Sequence, residues 1–98
     1  MDELTRAVEL LARQVGHWTP ERWARSGRAD RTHALVQRLA DRAADAEGEP
    51  RRPVPRLPSD LALPDQLRVI AADLVAAQPS PTVLADAADD VTAVRRSL

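Results

Sequence analysis

Gly48-Glu49-Pro50-Arg51-Arg52-Pro53-Val54-Pro55-Arg56-Leu57-Pro58 divides the chain. Four of the eight prolines fall within it. Each proline fixes its own φ, lacks an N–H and pushes the residue before it toward extended backbone. No helix crosses such a segment, and a central strand is excluded by the missing donors. The stretch therefore reads as an extended, polyproline-like connector. Alanine- and leucine-rich sequence of helical period lies on either side. The expected organisation is an N-terminal helical half (1–47), a Pro/Arg-rich connector (48–58) and a C-terminal helical hairpin (59–98), in one domain spanning 1–98.

After the connector, Leu63, Leu67, Ile70, Leu74 and Ala77 recur at four, three, four, three. That is one apolar stripe on a helix, with Pro64 expected as its first residue. Gln78-Pro79-Ser80-Pro81 breaks the chain. Ser80 then suits an N-cap and Pro81 the first helical position. Leu84, Ala87, Val91, Val94 and Leu98 form a second stripe, closed by Arg95 and Arg96 where cations favour the helix dipole. Two stripes joined by a Pro-capped turn predict an antiparallel hairpin. Ser59-Asp60 predicts a short helical turn before it.

Before the connector, Leu4, Val8, Leu11 and Val15 give a first helix from Asp2, with Gly16 expected as its C-terminal cap. The sharpest local signal is His17-Trp18-Thr19-Pro20-Glu21-Arg22-Trp23. Thr19 reads as N-cap and Pro20 as the first helical residue, which places Trp18 at N′ and Trp23 at N4. Those are the positions of a hydrophobic staple. The two indoles are expected to clasp at a corner; the functional alternative is a Trp-centred binding patch, since Trp is enriched in interface hot spots. A break is expected at Ser26-Gly27, with Asp30 capping a helix from Arg31 to Glu47 whose stripe is Leu35, Val36, Leu39, Ala43 and Ala46, and Gly48 ending it. The fold class predicted is all-α: a small bundle of about four helices, arranged as two hairpins.

Composition narrows the function classes. Ala, Leu and Val supply nearly all apolar residues, with no Phe or Tyr and two Trp. Such a core suits closely packed helices. The net charge is −1, which gives no global argument for nucleic acid or membrane binding. All 14 basic residues are Arg, a pattern that codon bias in a GC-rich, bacterial type of genome explains at every position. There is no Cys, hence no thiol nucleophile or cysteine metal site. No run approaches the roughly 18 apolar residues of a membrane span, and the start of the chain, with Asp2 and Glu3, does not read as a signal peptide. A cytoplasmic location is the default expectation.

No motif carries catalytic chemistry. Ser59, Ser80 and Thr19 are explained as caps, and His17 and His33 lack a metal-ligand spacing. Asp86, Asp89 and Asp90 read as a solvated acidic face. No enzyme activity and no cofactor are expected. Three features are candidates for recognition. Trp18 and Trp23 are the first. Arg22, Arg25 and Arg28, continued by Arg31 and joined by Arg13, form a basic ridge suited to phosphates, although Glu21 and Asp30 interrupt it. The third is Arg52-Pro53-Val54-Pro55-Arg56-Leu57-Pro58, which has the spacing of a polyproline ligand in which Arg52 or Arg56 meets an acidic pocket. The plainer reading is a strap whose arginines dock on the acidic second half. The leading expectation is a non-catalytic protein-interaction or regulatory module that binds an unknown protein partner or its own copy. The alternative is a nucleic acid-binding accessory protein using the Arg ridge.

Overall fold

The computed structural model describes all 98 residues and is all-helical, with α1 (Glu3–Val15), the short α2 (Pro20–Ala24), α3 (Arg28–Glu47), α4 (Leu63–Ala76) and α5 (Pro81–Ser97). Turns of 3-10 helix at Arg25–Gly27 and Asp60–Ala62 precede α3 and α4. Most ends follow the local chemistry. Asp2 caps α1 by accepting from the Thr5 N–H, Thr19 caps α2 from Arg22, and Ser80 caps α5 from Val83. At the break, Ser26 and Gly27 take left-handed φ values of 57° and 69°. Gly48 closes α3 at φ 69°, a conformation that costs an L-residue roughly 1–2 kcal/mol.

Three local expectations, at Asp30, Ala46 and Pro64, are corrected. Asp30 does not cap α3; the helix starts at Arg28 behind Gly27, and Asp30 lies in its first turn. Gly16 does cap α1 at its C-terminus, in a right-handed conformation at φ −63°; a Cβ there would come 3.0 Å from the Ala12 carbonyl oxygen. Ala46 is exposed because the apolar stripe of α3 rotates out of the interior after Ala43. Pro64 is the second residue of α4, since Leu63 already has helical dihedrals.

The connector sets the topology. It runs back along α3, from the C-terminal end of that helix to its N-terminal end. Arg51 pairs with Asp45, the Val54 N–H donates to Gln37 Oε1 (2.7 Å), His33 Nε2 donates to the Val54 carbonyl (3.1 Å), and Arg56 reaches Asp30 (2.9 Å). At about 3.1 Å per residue an extended chain of ten residues covers about 31 Å. A helix of 20 residues such as α3 is about 30 Å long at 1.5 Å per residue. The strap thus returns the chain to its starting end, and α4 runs parallel to α3. α5 is antiparallel to α3, because Arg31 bonds Ser97 and Arg38 bonds Asp90. The last turn of α1 lies beside that of α5, with Gln14 Nε2 3.4 Å from the Arg95 carbonyl.

The main packing pairs are α3 with α4, α1 with α5 and α1 with α4, followed by α3 with α5. The pairing within the bundle therefore differs from the self-packed hairpins expected from the sequence. Although α4 and α5 are consecutive, they face each other across the diagonal, as α1 and α3 do. Gln78, at φ 51°, joins the ends of α4 and α5 without bringing their sides together. The strap seats α4 beside α3, and the stripes of α4 and α5 then each pack against both α1 and α3. One core cluster takes Leu4, Leu11, Trp23, Leu35, Leu39, Leu67, Leu74 and Val91 from both halves of the chain, so residues 1–47 and 59–98 share a single interior. Thr32, the one buried polar residue, returns its hydroxyl to the Arg28 carbonyl (2.9 Å), the internal bond that lets a helical threonine be buried.

Candidate interaction surfaces

The Trp corner forms as its spacing predicts. Trp18 and Trp23 meet edge to face, with centroids 4.9 Å apart and planes at 63°. They are only 4% and 1% exposed, so the pair belongs to the core and offers no open aromatic face. Both indole N–H groups are buried without an acceptor. Arg22 and Arg28 lie over the Trp18 ring, their guanidinium carbons 4.6 and 5.2 Å from its centroid. Stacking on the ring quadrupole holds these two cations in place.

The basic ridge is rebuilt rather than continuous. The positive-φ residues Ser26 and Gly27 separate Arg22 and Arg25 from Arg28 and Arg31. The chain reversal nevertheless keeps all four at one end of the bundle. Arg31 bonds the Ser97 hydroxyl (3.2 Å), the Ser97 carbonyl (2.9 Å) and the Ser26 carbonyl. Those bonds bring the last turn of α5, with Arg95 and Arg96, to the same end. Arg13, in the last turn of α1, also lies there.

The strap is held chiefly by α3, not by the acidic hairpin that the charge balance suggested. The carboxamide of Gln37 accepts from the Val54 N–H and donates to the Arg52 carbonyl (3.0 Å) and to Asp41 Oδ1 (3.0 Å). Gln66 of α4 donates to the Pro55 carbonyl (3.1 Å), while its own carbonyl oxygen is buried without a partner. Arg56 bridges Asp30 and Asp60, so its charge is already neutralised within the chain. Arg52 is exposed and makes no ion pair. A polyproline-type partner would have to compete with the bonds at Arg52, Val54 and Pro55.

An apolar groove opens between strap and α4. It holds about 380 Å³ and is walled by Pro55 and Leu57 on one side and by Ala62, Val69 and Ile70 on the other. Val69 is 60% and Leu57 39% exposed. A neighbouring hollow shares Val54, Pro55 and Ile70 and extends the furrow to Glu47, Glu49 and Asp73. Those three carboxylates have no ion-pair partner, whereas Asp90 is held by Arg38 (2.8 Å) and Arg42 (3.9 Å). Arg52 lines the same hollow, so the furrow is apolar at one end and carries three acids against one arginine at the other. Sequence periodicity does not reveal it, because one wall is the strap.

Elsewhere the structure gathers no group of three or more His, Asp or Glu side chains able to hold a metal ion, and no helix is long and apolar enough to cross a membrane. His33 is engaged with the strap, while His17 is exposed at the Trp corner. No protein-family model, no curated protein and no solved structure matches this chain.

Proposed function

We propose that the protein is a non-catalytic interaction module whose furrow between strap and α4 receives an amphipathic helix of a partner protein. The observation that supports this reading is the continuity of the furrow. Leu57, Val69 and Ile70 offer apolar area to a helix face, and Glu47, Glu49 and Asp73 offer unpaired negative charge further along. The complementary ligand has apolar residues at i, i+3 or i+4, and i+7, with Arg or Lys toward one end. Apolar contact would supply affinity, and the charges would set orientation and association rate.

The test is a photo-crosslinking amino acid placed at Val69 in the native cell, followed by mass spectrometry of the adduct. Residue 69 is largely exposed, so the replacement leaves the core intact. The expected adduct is a peptide with an apolar helical face and a basic end, and it is lost when Leu57→Asp is added. Adducts to sequences without that pattern, or adducts that persist with Leu57→Asp, overturn the reading. Crosslinking to a second copy of the chain replaces the partner helix by self-association.

A further inference from the structure

The folded charge distribution differs sharply from the charge balance of the sequence. Five arginines, Arg38, Arg42, Arg51, Arg56 and Arg68, make ion pairs with carboxylates. Most of the others gather at the end where α1 and α5 finish and α3 begins. Arg22, Arg25, Arg28 and Arg31 come from the α2–α3 corner, with Arg13, Arg95 and Arg96 from the two last turns. None of these seven has a carboxylate partner within ion-pair distance. Acids near them are paired with other arginines, Asp30 and Asp60 sharing Arg56, and Glu9 and Asp65 sharing Arg68, which leaves one net negative charge in each group against the seven cations. Glu21 alone is left unpaired among them. The opposite end carries Asp2, Glu3, Glu47, Glu49 and Asp73, at the start of α1 and the ends of α3 and α4. A chain of net charge −1 is thus folded into a body 38 Å long with a positive and a negative pole.

We propose that the positive pole binds the phosphate backbone of a nucleic-acid duplex without reading its sequence. Three observations select this ligand. The cations are arginines, whose planar guanidinium binds phosphate bidentately. Arg22, an exposed member of the cluster, is fixed on the Trp18 ring, so less of its side-chain freedom is lost on binding. Trp18 and Trp23 are buried, which leaves no aromatic surface to stack the bases of a single strand. Leu57 and Leu61 are exposed at this same end, Leu61 in the turn that packs beside α2, so a bilayer is separated from a duplex by the experiment below. The acidic far pole would orient the approaching molecule basic end first. This site is separate from the furrow and does not depend on the reading given above.

Fluorescence anisotropy with a labelled duplex of about two helical turns, over roughly 50–200 mM salt, tests the proposal. Arg13, Arg22, Arg25 and Arg96 are the exposed members of the cluster. At about 0.9 per phosphate contact, these four give a slope of log K against log salt of about −3.6. Affinity should fall about a hundredfold across that range. The variant Arg13→Gln/Arg25→Gln/Arg96→Gln removes side chains that make no bond in the fold, and the slope should drop to about −1. Arg6→Gln/Arg52→Gln removes two unpaired exposed arginines away from the pole and should change binding less than twofold. Absence of duplex binding at low salt overturns the proposal, as does equal loss in both variants. A poly-glutamate that competes as well as duplex would reassign the pole to acidic proteins, and tighter binding to anionic vesicles would reassign it to membranes. Salt-sensitive head-to-tail assembly in light scattering, abolished by the triple variant and without duplex binding, would make the acidic pole of a second copy the ligand.

Discussion

Gln37 is the residue on which the strap depends most, and Gln37→Ala tests the topology directly. Its carboxamide takes the Val54 N–H at 2.7 Å and gives hydrogen bonds to the Arg52 carbonyl and Asp41 at 3.0 Å each. In effect one side chain supplies two rungs of a ladder to a segment that has no strand beside it. The Val54 bond is part-buried and the Arg52 bond exposed. An intramolecular hydrogen bond contributes about 0.5–1.5 kcal/mol net, and a buried donor left without an acceptor costs about 1–3 kcal/mol. Counting the Val54 bond in full and the exposed bond at half, the substitution should destabilise the fold by about 1–2 kcal/mol. For a domain of this size that corresponds to a Tm lower by roughly 5–15 °C. Thermal unfolding by circular dichroism measures the loss, and amide exchange locates it. The Val54 amide should lose protection far more than amides at the centres of α1 and α5, because the strap opens locally before the bundle does. Gln37→Glu is the sharper companion. The introduced carboxylate still accepts from Val54, but it faces the Arg52 carbonyl and Asp41. The stability of this variant should therefore partly recover on acidification, as the new carboxylate takes up a proton. A Tm change of under about 1 °C for Gln37→Ala, with Val54 protection unchanged, would refute the view that this carboxamide fixes the strap.

Three further outcomes are expected. Trp23→Ala, at the 1% exposed centre of the corner, should cost about 3–5 kcal/mol, read as a shifted urea midpoint or as failure to fold. The Asp2 carboxylate is held below its usual pKa, first by the Thr5 backbone N–H; its stabilisation is present above the unfolded value of about 3.9 and is lost as pH falls through the lower folded value. Asp2→Ala should therefore cost about 1 kcal/mol at neutral pH, with the gap to wild type narrowing below about pH 4 in chemical denaturation. Gly48→Ala meets no atom within 4 Å yet must keep φ 69°, so a loss of about 1 kcal/mol in the same assay would reflect backbone strain alone.

Much of the local structure was legible in the sequence. Thr19-Pro20, Ser80-Pro81 and Gly48 mark helix ends because caps and glycine act over three or four residues. The Trp18–Trp23 clasp was legible for the same reason, since both side chains belong to one helix start. Asp30 misled because a carboxylate in a first turn resembles a cap, while the left-handed Gly27 ended the preceding turn without any side chain. The furrow was hidden, since Pro55 and Leu57 read as spacer and Val69 as an ordinary exposed position. The basic pole was partly visible as Arg22, Arg25 and Arg28. Its other half, Arg95 and Arg96, lies roughly seventy residues away in the chain.

By itself the sequence determined that the chain is all-helical, where the helices break, and that residues 48–58 are extended. Those properties follow from proline geometry, capping and apolar period, which act between near neighbours. Tertiary structure decided what the extended segment is for. Gln37, His33 and Gln66 fix it along α3 as a return strap, which makes α3 and α4 parallel and places consecutive helices on diagonals. It also decided how a nearly neutral composition became two charged poles, because Coulomb interactions depend on distance in space, and the fold brings arginines from four separate segments to one end.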